Sequence, residues 1–414
     1  MSADHDVVII GAGPSGAIAA ALLIKRGYHP LVLERAQFPR FSIGESLLPQ
    51  CMEFIEEAGM LDAVRAAAPE CGFQYKDGAA FDWGELHESF HFEDKFSPGH
   101  GTTYQVRRAE FDKVLADEAA AAGADIRYRH EIVDVDFGGD QPRVTARDLN
   151  DDSLHSWTCS FVLDASGFAR VLPRLLDLDR PSDFPVRQAI FTHVEDRIAS
   201  DDFDRDKILI TVHPDHYHVW FWLIPFSDGR SSLGVVASQE FLDGVPGEPK
   251  DKLRKLVADC PDLSRHLAQA EYDTPASHIT GYSANVKSLW GPGYALLGNA
   301  GEFLDPVFSS GVTVAMKSAS LAADTLGRQL SGEAVDWQKD FAEPLQQGVD
   351  TFRTYVEAWY EGTFQDVIFH EEKPAEIKAQ ICSILAGYAW DTDNPYVRES
   401  RRRLKVLASV CQRV

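Results

Sequence analysis

Four stretches of this chain hold residue types at spacings that could do chemistry. The first is Gly11-Ala12-Gly13-Pro14-Ser15-Gly16, which follows the β-branched run DVVII and precedes the helical pattern AIAAALLIKRG. Glycines so placed let a backbone approach a pyrophosphate, and the N-terminus of the following helix stabilises its charge. The next expected strand, LVLE, ends in Glu34, at the distance where an acid accepts hydrogen bonds from a ribose. The second stretch is WFWLIP, residues 220–225. Strand alternation puts His216, His218, Trp220 and Trp222 on one face and Tyr217, Val219, Phe221 and Leu223 on the other. Such a face is ordinarily a buried sheet surface. The third is Lys76, alone in GFQYKDGAAFDWG. Most lone lysines lie on the surface, but one held out of water drops its pKa toward neutrality and can serve as acid, base or nucleophile. The fourth is FLDPVFSSG, residues 303–311, a small-residue loop.

The elements that must position these residues are strands ending in tight turns. FVLDASG, from Phe161 to Gly167, is an apolar strand closing on Asp164, and YALLGNAGEFLDP repeats that theme from Tyr294. With the glycine fingerprint, these segments resemble the second and third FAD-contacting segments of the flavoprotein hydroxylase superfamily. The resemblance implies FAD, held by Gly11, Gly13, Ser15, Gly16, Glu34, Arg35, Arg40, Arg108 in YQVRRAEFD, Asp164, Asn299, Gly311 and Val312. Many members have GDA where this chain has Gly298-Asn299-Ala300, so an amide replaces a carboxylate at the ribityl chain. No second GxGxxG follows a strand, and a nicotinamide site is not evident.

WFWLIP matches WxWxIP, a signature of the flavin-dependent halogenases, and the chain resembles that family over most of its first 320 residues. FPRFSIGESLLP, Lys76 and FLDPVFSSG carry the rest of the likeness. What it implies is definite. Reduced FAD and oxygen turn halide, chloride or bromide, into hypohalous acid; halide lies near Ser310 and Gly311; Trp220, Trp222 and Pro306 keep the organic substrate away from the flavin. Lys76 then receives the hypohalous acid, as hydrogen-bond donor or through a haloamine, beside the aromatic carbon to be halogenated. The lack of a nicotinamide site fits FAD arriving reduced from a separate flavin reductase.

Substrate class follows from finer resemblance. Tryptophan halogenases are usually longer chains, whereas FSIGESLLPQCMEFIEEAG and GTTYQVRRAEFD resemble most the halogenases of pyrroles tethered to a carrier protein. A free phenol or pyrrole is the alternative, and a flavin monooxygenase or reductase of the same superfamily is the second. A flavin-binding sensor without turnover has no positive support. In RESRRRLK, Arg398, Arg402 and Lys405 would share a helix face able to meet an acidic carrier.

The fold expected is α/β: a Rossmann-like FAD-binding domain of the flavoprotein hydroxylase type with an interleaved β-rich substrate part and a helical C-terminal region. The FAD-binding part comprises residues 1–75, 102–175 and 285–330. A substrate-facing sheet comes from 76–101 and 176–284, and 331–414 form a helical cap, with helices on either side of Pro374. The 40 Lys and Arg against 64 Asp and Glu leave a formal charge of −24, which repels nucleic acid and anionic membranes. Six scattered cysteines without CxxC spacing predict reduced thiols, and no apolar run is long enough to span a bilayer, so a cytoplasmic protein is expected. His213, His216 and His218 around Asp215 suggest metal only superficially, because strand spacing separates His213 from the other two; no metal is expected. His193 and Glu195 are left without a role.

Overall fold

A computed structural model describes residues 3–199 and 203–411. The β-branched run forms the strand His5–Ile10, buried toward its end, which pairs in parallel with Pro30–Glu34 on one side and Leu154–Asp164 on the other. Tyr294–Leu296 pairs in parallel with Leu154–Asp164 in turn. Strands this apolar are what a parallel sheet covered on both faces requires. The register sets Ile10 beside Leu33 and Asp164, and Asp164 beside Leu296. The glycine turn, the DASG turn and the GNA turn therefore emerge side by side at the carboxyl ends of neighbouring strands, where open α/β sheets bind ligands.

A second sheet of seven strands runs in the order Ser277–Thr280, Arg187–Glu195, Arg230–Ser238, His216–Pro225, Lys207–His213, Gly78–Trp83 and Leu86–His91. Its pairs are antiparallel except Lys207–His213 with Gly78–Trp83. Alternation along the tryptophan strand is as the pattern predicts. Trp220, Trp222 and Ile224 join the main core, and Val219, Phe221 and Leu223 join a separate core under the helices Pro249–Ala258 and Pro261–His266. A short ladder, Gln74–Lys76 with Thr103–Gln105, lies between the two sheets in the chain.

The long helix Ser310–Leu330 packs on Pro14–Lys25, and beyond it run Glu343–Tyr360, Thr363–Ile368, Ala375–Leu385, Pro395–Arg398 and Ser400–Cys411. Pro374 sits at the N-cap of Ala375–Leu385, as proline's fixed φ favours at a helix start. Two expectations are corrected here. Arg398 ends its own short helix and the backbone breaks at Glu399 (φ −128°, ψ 44°), so Arg398 shares no helix with Arg402 and Lys405. The hairpin at Pro214-Asp215 folds His213 back onto His216, with ring centroids 4.9 Å apart. Among the described residues, however, no group of three or more His, Cys, Asp or Glu could hold a metal, and no helix is long and apolar enough to cross a membrane. All six thiols are free.

Candidate active site

One cavity joins the three turns to the tryptophan face of the second sheet. At the turn end the fit is tight. Gly11 takes φ +96°, and a Cβ there would come 2.7 Å from the Ala165 carbonyl; one on Gly16 would come 2.0 Å from the Gly11 carbonyl. These two glycines press the first turn against the DASG turn, while Gly13 and Ser15 line the open space at the start of the Pro14–Lys25 helix. Glu34 is buried and lines the cavity, its two oxygens accepting from the amides of Ala12 at 2.9 Å and Ala36 at 2.8 Å. A carboxylate has about four acceptor positions, so others stay open to a hydroxyl.

Not every predicted residue reaches the cavity. Arg35 is exposed, pairs with Glu131 at 2.9 Å and stands in an adjoining depression that shares Gly11 and Glu34. Asp164 is fully buried with its carboxylate turned into its own turn, accepting from Ser166 N at 2.9 Å and Leu172 N at 2.7 Å. It shapes the wall that Ala165 to Ala169 present. Arg108 does line the cavity, held by both oxygens of buried Asp112 at 2.7 and 3.0 Å and donating to the Ile43 carbonyl at 2.7 Å. Arg40 also pairs with Asp112, at 2.9 Å. Asn299 lines it with its Oδ1 buried and without a hydrogen-bond donor. A dinucleotide fits this set: glycines that clear the backbone, a helix N-terminus, an acid, two cations and an orphaned acceptor.

The FLDPVFSSG loop turns sharply. Asp305 caps the 3-10 turn Pro306–Phe308 through Val307 N at 3.0 Å, and Ser309 takes φ +55° before the long helix begins. Pro306, Ser309, Gly311 and Val312 line the cavity, whereas Ser310 is 3% exposed and does not; the serine at the wall is Ser309, one residue earlier than predicted. The left-handed turn at Ser309 sets the start of the long helix at the cavity wall, where Gly311 and Val312 lie, and a helix N-terminus favours an anion.

Trp220 and Trp222 line the opposite side, their rings 6.0 Å apart. Trp222 lies flat over Gly234, where a Cβ would come within 2.2 Å of the indole, and its Nε1 donates to Ser232 Oγ at 3.1 Å. Trp220 Nε1 donates to the Tyr360 hydroxyl at 3.1 Å, which donates to Asp305 Oδ2 at 2.8 Å; Tyr282 donates to the same oxygen at 3.3 Å. Burial pushes the Asp305 carboxyl up to about 6 and both tyrosines well above their ordinary value. Sequence reasoning missed Tyr360, Tyr282 and Asp305 as a unit, since they come from three distant segments.

Lys76 is 1% exposed. Its Nζ donates to Ser46 Oγ at 2.7 Å and to the Leu47 carbonyl at 2.8 Å, and burial lowers it to about 7. Lys76 does not line the cavity, but Ser46 does, so a single side chain separates the amine from it. Glu45, next in the chain, also lines the cavity and meets His193. Sequence reasoning singles out neither Ser46 nor Glu45 and gives His193 no role; GES lies inside the matched stretch FPRFSIGESLLP, and nothing local ties it to His193.

Comparison with known proteins adds four findings. The FAD binding domain family matches residues 4–344. A 1H-pyrrole-2-carbonyl-[peptidyl-carrier protein] brominase from Pseudoalteromonas luteoviolacea is 30% identical over 340 residues, 81% of this chain and 80% of that protein. A tryptophan 2-halogenase from Chondromyces crocatus is 31% identical over 79% of this chain but only 62% of its own length. Among solved structures, a flavoprotein/dehydrogenase from Cytophaga hutchinsonii superposes with a TM-score of 0.94 and 43% identity, covering 99% of this chain and 98% of that one.

Proposed function

This chain belongs to the FAD-binding flavoproteins and, within them, to the flavin-dependent halogenases, and on that premise we propose that it halogenates a pyrrolyl group tethered to an acyl or peptidyl carrier protein. Reduced FAD with oxygen supplies the oxidising equivalent that turns chloride or bromide into hypohalous acid. The glycine turn, Glu34, Arg40, Arg108 and Asn299 hold the cofactor, and Gly311 and Val312 hold halide by backbone amides at the helix start, beside the Ser309 hydroxyl. Trp220, Trp222 and Pro306 exclude the organic substrate from that end. Hypohalous acid passes Ser46 to Lys76, which binds it and sets the halogen beside the ring.

The observation that carries this reading is the burial of Lys76. An amine 1% exposed, lowered to about 7 and one side chain from the cavity is unlike a surface lysine. Such a group is half protonated near neutrality, so it can donate a hydrogen bond to hypohalous acid or accept halogen as a haloamine. The carrier rests on the likeness to the pyrrole-carrier brominase, which this chain matches over most of both lengths. A separate flavin reductase, in the cytoplasm, would keep the FAD reduced.

The test is intact-mass analysis after incubation with reduced FAD, oxygen and each halide, offering pyrrole-2-carboxyl on a carrier protein, free pyrroles, free phenols and tryptophan. Halogen isotope patterns on the carrier alone support the full proposal. Halogenation of free rings only would keep the chemistry and remove the carrier. Loss of two hydrogens without halogen would instead support a dehydrogenase, the description borne by the Cytophaga structure.

A further inference from the structure

Halogenation by reduced flavin has a proton requirement. Reduced FAD, dioxygen, halide, a ring C–H and one proton become oxidised FAD, a carbon–halogen bond and two waters. The O–O bond breaks, halide is oxidised, dioxygen is reduced, and the anion's charge is cancelled by the incoming proton. That proton must enter a cavity walled by tryptophans and buried backbone.

Glu45 stands where it could arrive. The residue lines the cavity and is 2% exposed, and Oε2 is buried without any hydrogen-bond partner. Its backbone is fixed by Val106 N, which donates to the Glu45 carbonyl at 2.7 Å. Oε1 lies 2.7 Å from His193 Nε2. A buried carboxylate oxygen left without a donor beside a cavity is costly and points to a ligand or a transferable proton. His193 is on the Arg187–Glu195 strand, does not line the cavity, and keeps 22% of its side chain accessible. Rings of Phe41 and Phe226, with centroids at 5.9 and 5.3 Å, hold the imidazole edge-on. Other candidates are committed elsewhere: Arg108 is locked on Asp112, Lys76 is behind Ser46, and Asp305 already accepts three hydrogen bonds.

Resting on the halogenase reading, we propose that Glu45 and His193 are the proton entry of this enzyme. Glu45 gives its proton from Oε2 into the cavity, His193 passes its Nε2 proton to Oε1, and a solvent proton arrives at Nδ1; the charge and proton count of the pair are restored, and turning of the carboxyl group with exchange of the imidazole proton through solvent returns the protons to Oε2 and Nε2. Glu45 is the acid; His193 is a positioning and reloading residue that acts through it.

The experiment uses FAD-loaded enzyme, reduced and mixed with oxygen and bromide, with monochlorodimedone as a free trap for oxidised bromide. FAD affinity is read separately by fluorescence. Glu45→Gln is expected to slow trap bromination about 100-fold while binding FAD as the native chain does. Glu45→Ala should be slowed likewise and partly restored by added formate, and His193→Ala should be slowed about tenfold and restored by imidazole. In FAD-free protein, 15N spectra should show the His193 proton on Nε2, and Glu45→Ala should release that preference. Native-rate bromination by Glu45→Gln, a loss that only tracks lost FAD, or a folded Glu45→Ala that formate does not restore would each overturn the pair alone. A native enzyme that oxidises no halide would overturn the halogenase reading and the pair together.

Discussion

At the glycine-turn end of the cavity polar groups are settled by backbone. Glu34 accepts two amides, Asp164 accepts two amides, and Arg108 is closed on Asp112 and a carbonyl. At the tryptophan end, polar side chains are buried with demands unmet or shifted: Lys76 at about 7, Asp305 at about 6, and Glu45 with an orphaned oxygen. The first region is a scaffold of closed hydrogen bonds, in which burial still raises the Asp164 carboxyl and Asn299 Oδ1 keeps an open acceptor. In the second, burial holds Lys76 and Asp305 out of their preferred ionisation, which is the state an acid, base or halogen carrier needs.

Lys76→Met gives the largest effect and tests that contrast directly. Loss of the amine is expected to reduce halogenation on the order of 10²- to 10⁴-fold with FAD still bound. Stability should move the other way. The folded chain releases a proton from Lys76 near pH 7 that the unfolded chain holds to about 10.5, so the lysine's burial costs stability fully below pH 7 and progressively less as pH rises toward 10.5. That cost is on the order of 4 kcal/mol at neutrality, so the methionine variant should melt higher, most visibly at or below pH 7. A variant both inactive and less stable would make Lys76 part of the scaffold.

Trp222→Ala sharpens the comparison from the aromatic side. Removing the indole over Gly234 should cost about 3–5 kcal/mol, and the opened wall should let organic substrate reach the flavin, seen as single-oxygen product by mass. A folded variant giving halogenated product alone would mean that the tryptophans are only core.

The same contrast explains what could be read from the chain. Residues 11–16 and Glu34 act through local geometry, a turn between strand and helix, so spacing alone exposed them. Parallel pairing then brought DASG and GNA to the same edge, as apolar strands ending in small residues suggested. Glu45 and His193 are 148 residues apart, and Tyr360 reaches Asp305 across 55. No period or spacing joins such pairs; only the packing of the seven-stranded sheet and the Glu343–Tyr360 helix does. That Ser309 and not Ser310 lines the cavity was not legible because it depends on the left-handed turn at Ser309.

Asp305 offers the finest test, because its shift opposes three donors that would favour the charged form. Burial outweighs them, so between its ordinary 3.8 and about 6 the folded chain keeps a proton that the unfolded chain gives up. Stability from this residue is therefore present below about pH 4 and lost as pH climbs to about 6, a change of up to roughly 3 kcal/mol. Asp305→Asn removes the titration while keeping an acceptor for Tyr360. Urea melts from about pH 4 to about pH 7 should show the asparagine variant gaining on the native chain with rising pH and levelling near 6. A difference flat across that range would mean that Asp305 ionises as a surface acid does. The tryptophan end would then owe its character to Lys76 and Glu45, and the Tyr360 bridge to Trp220 would be a packing contact.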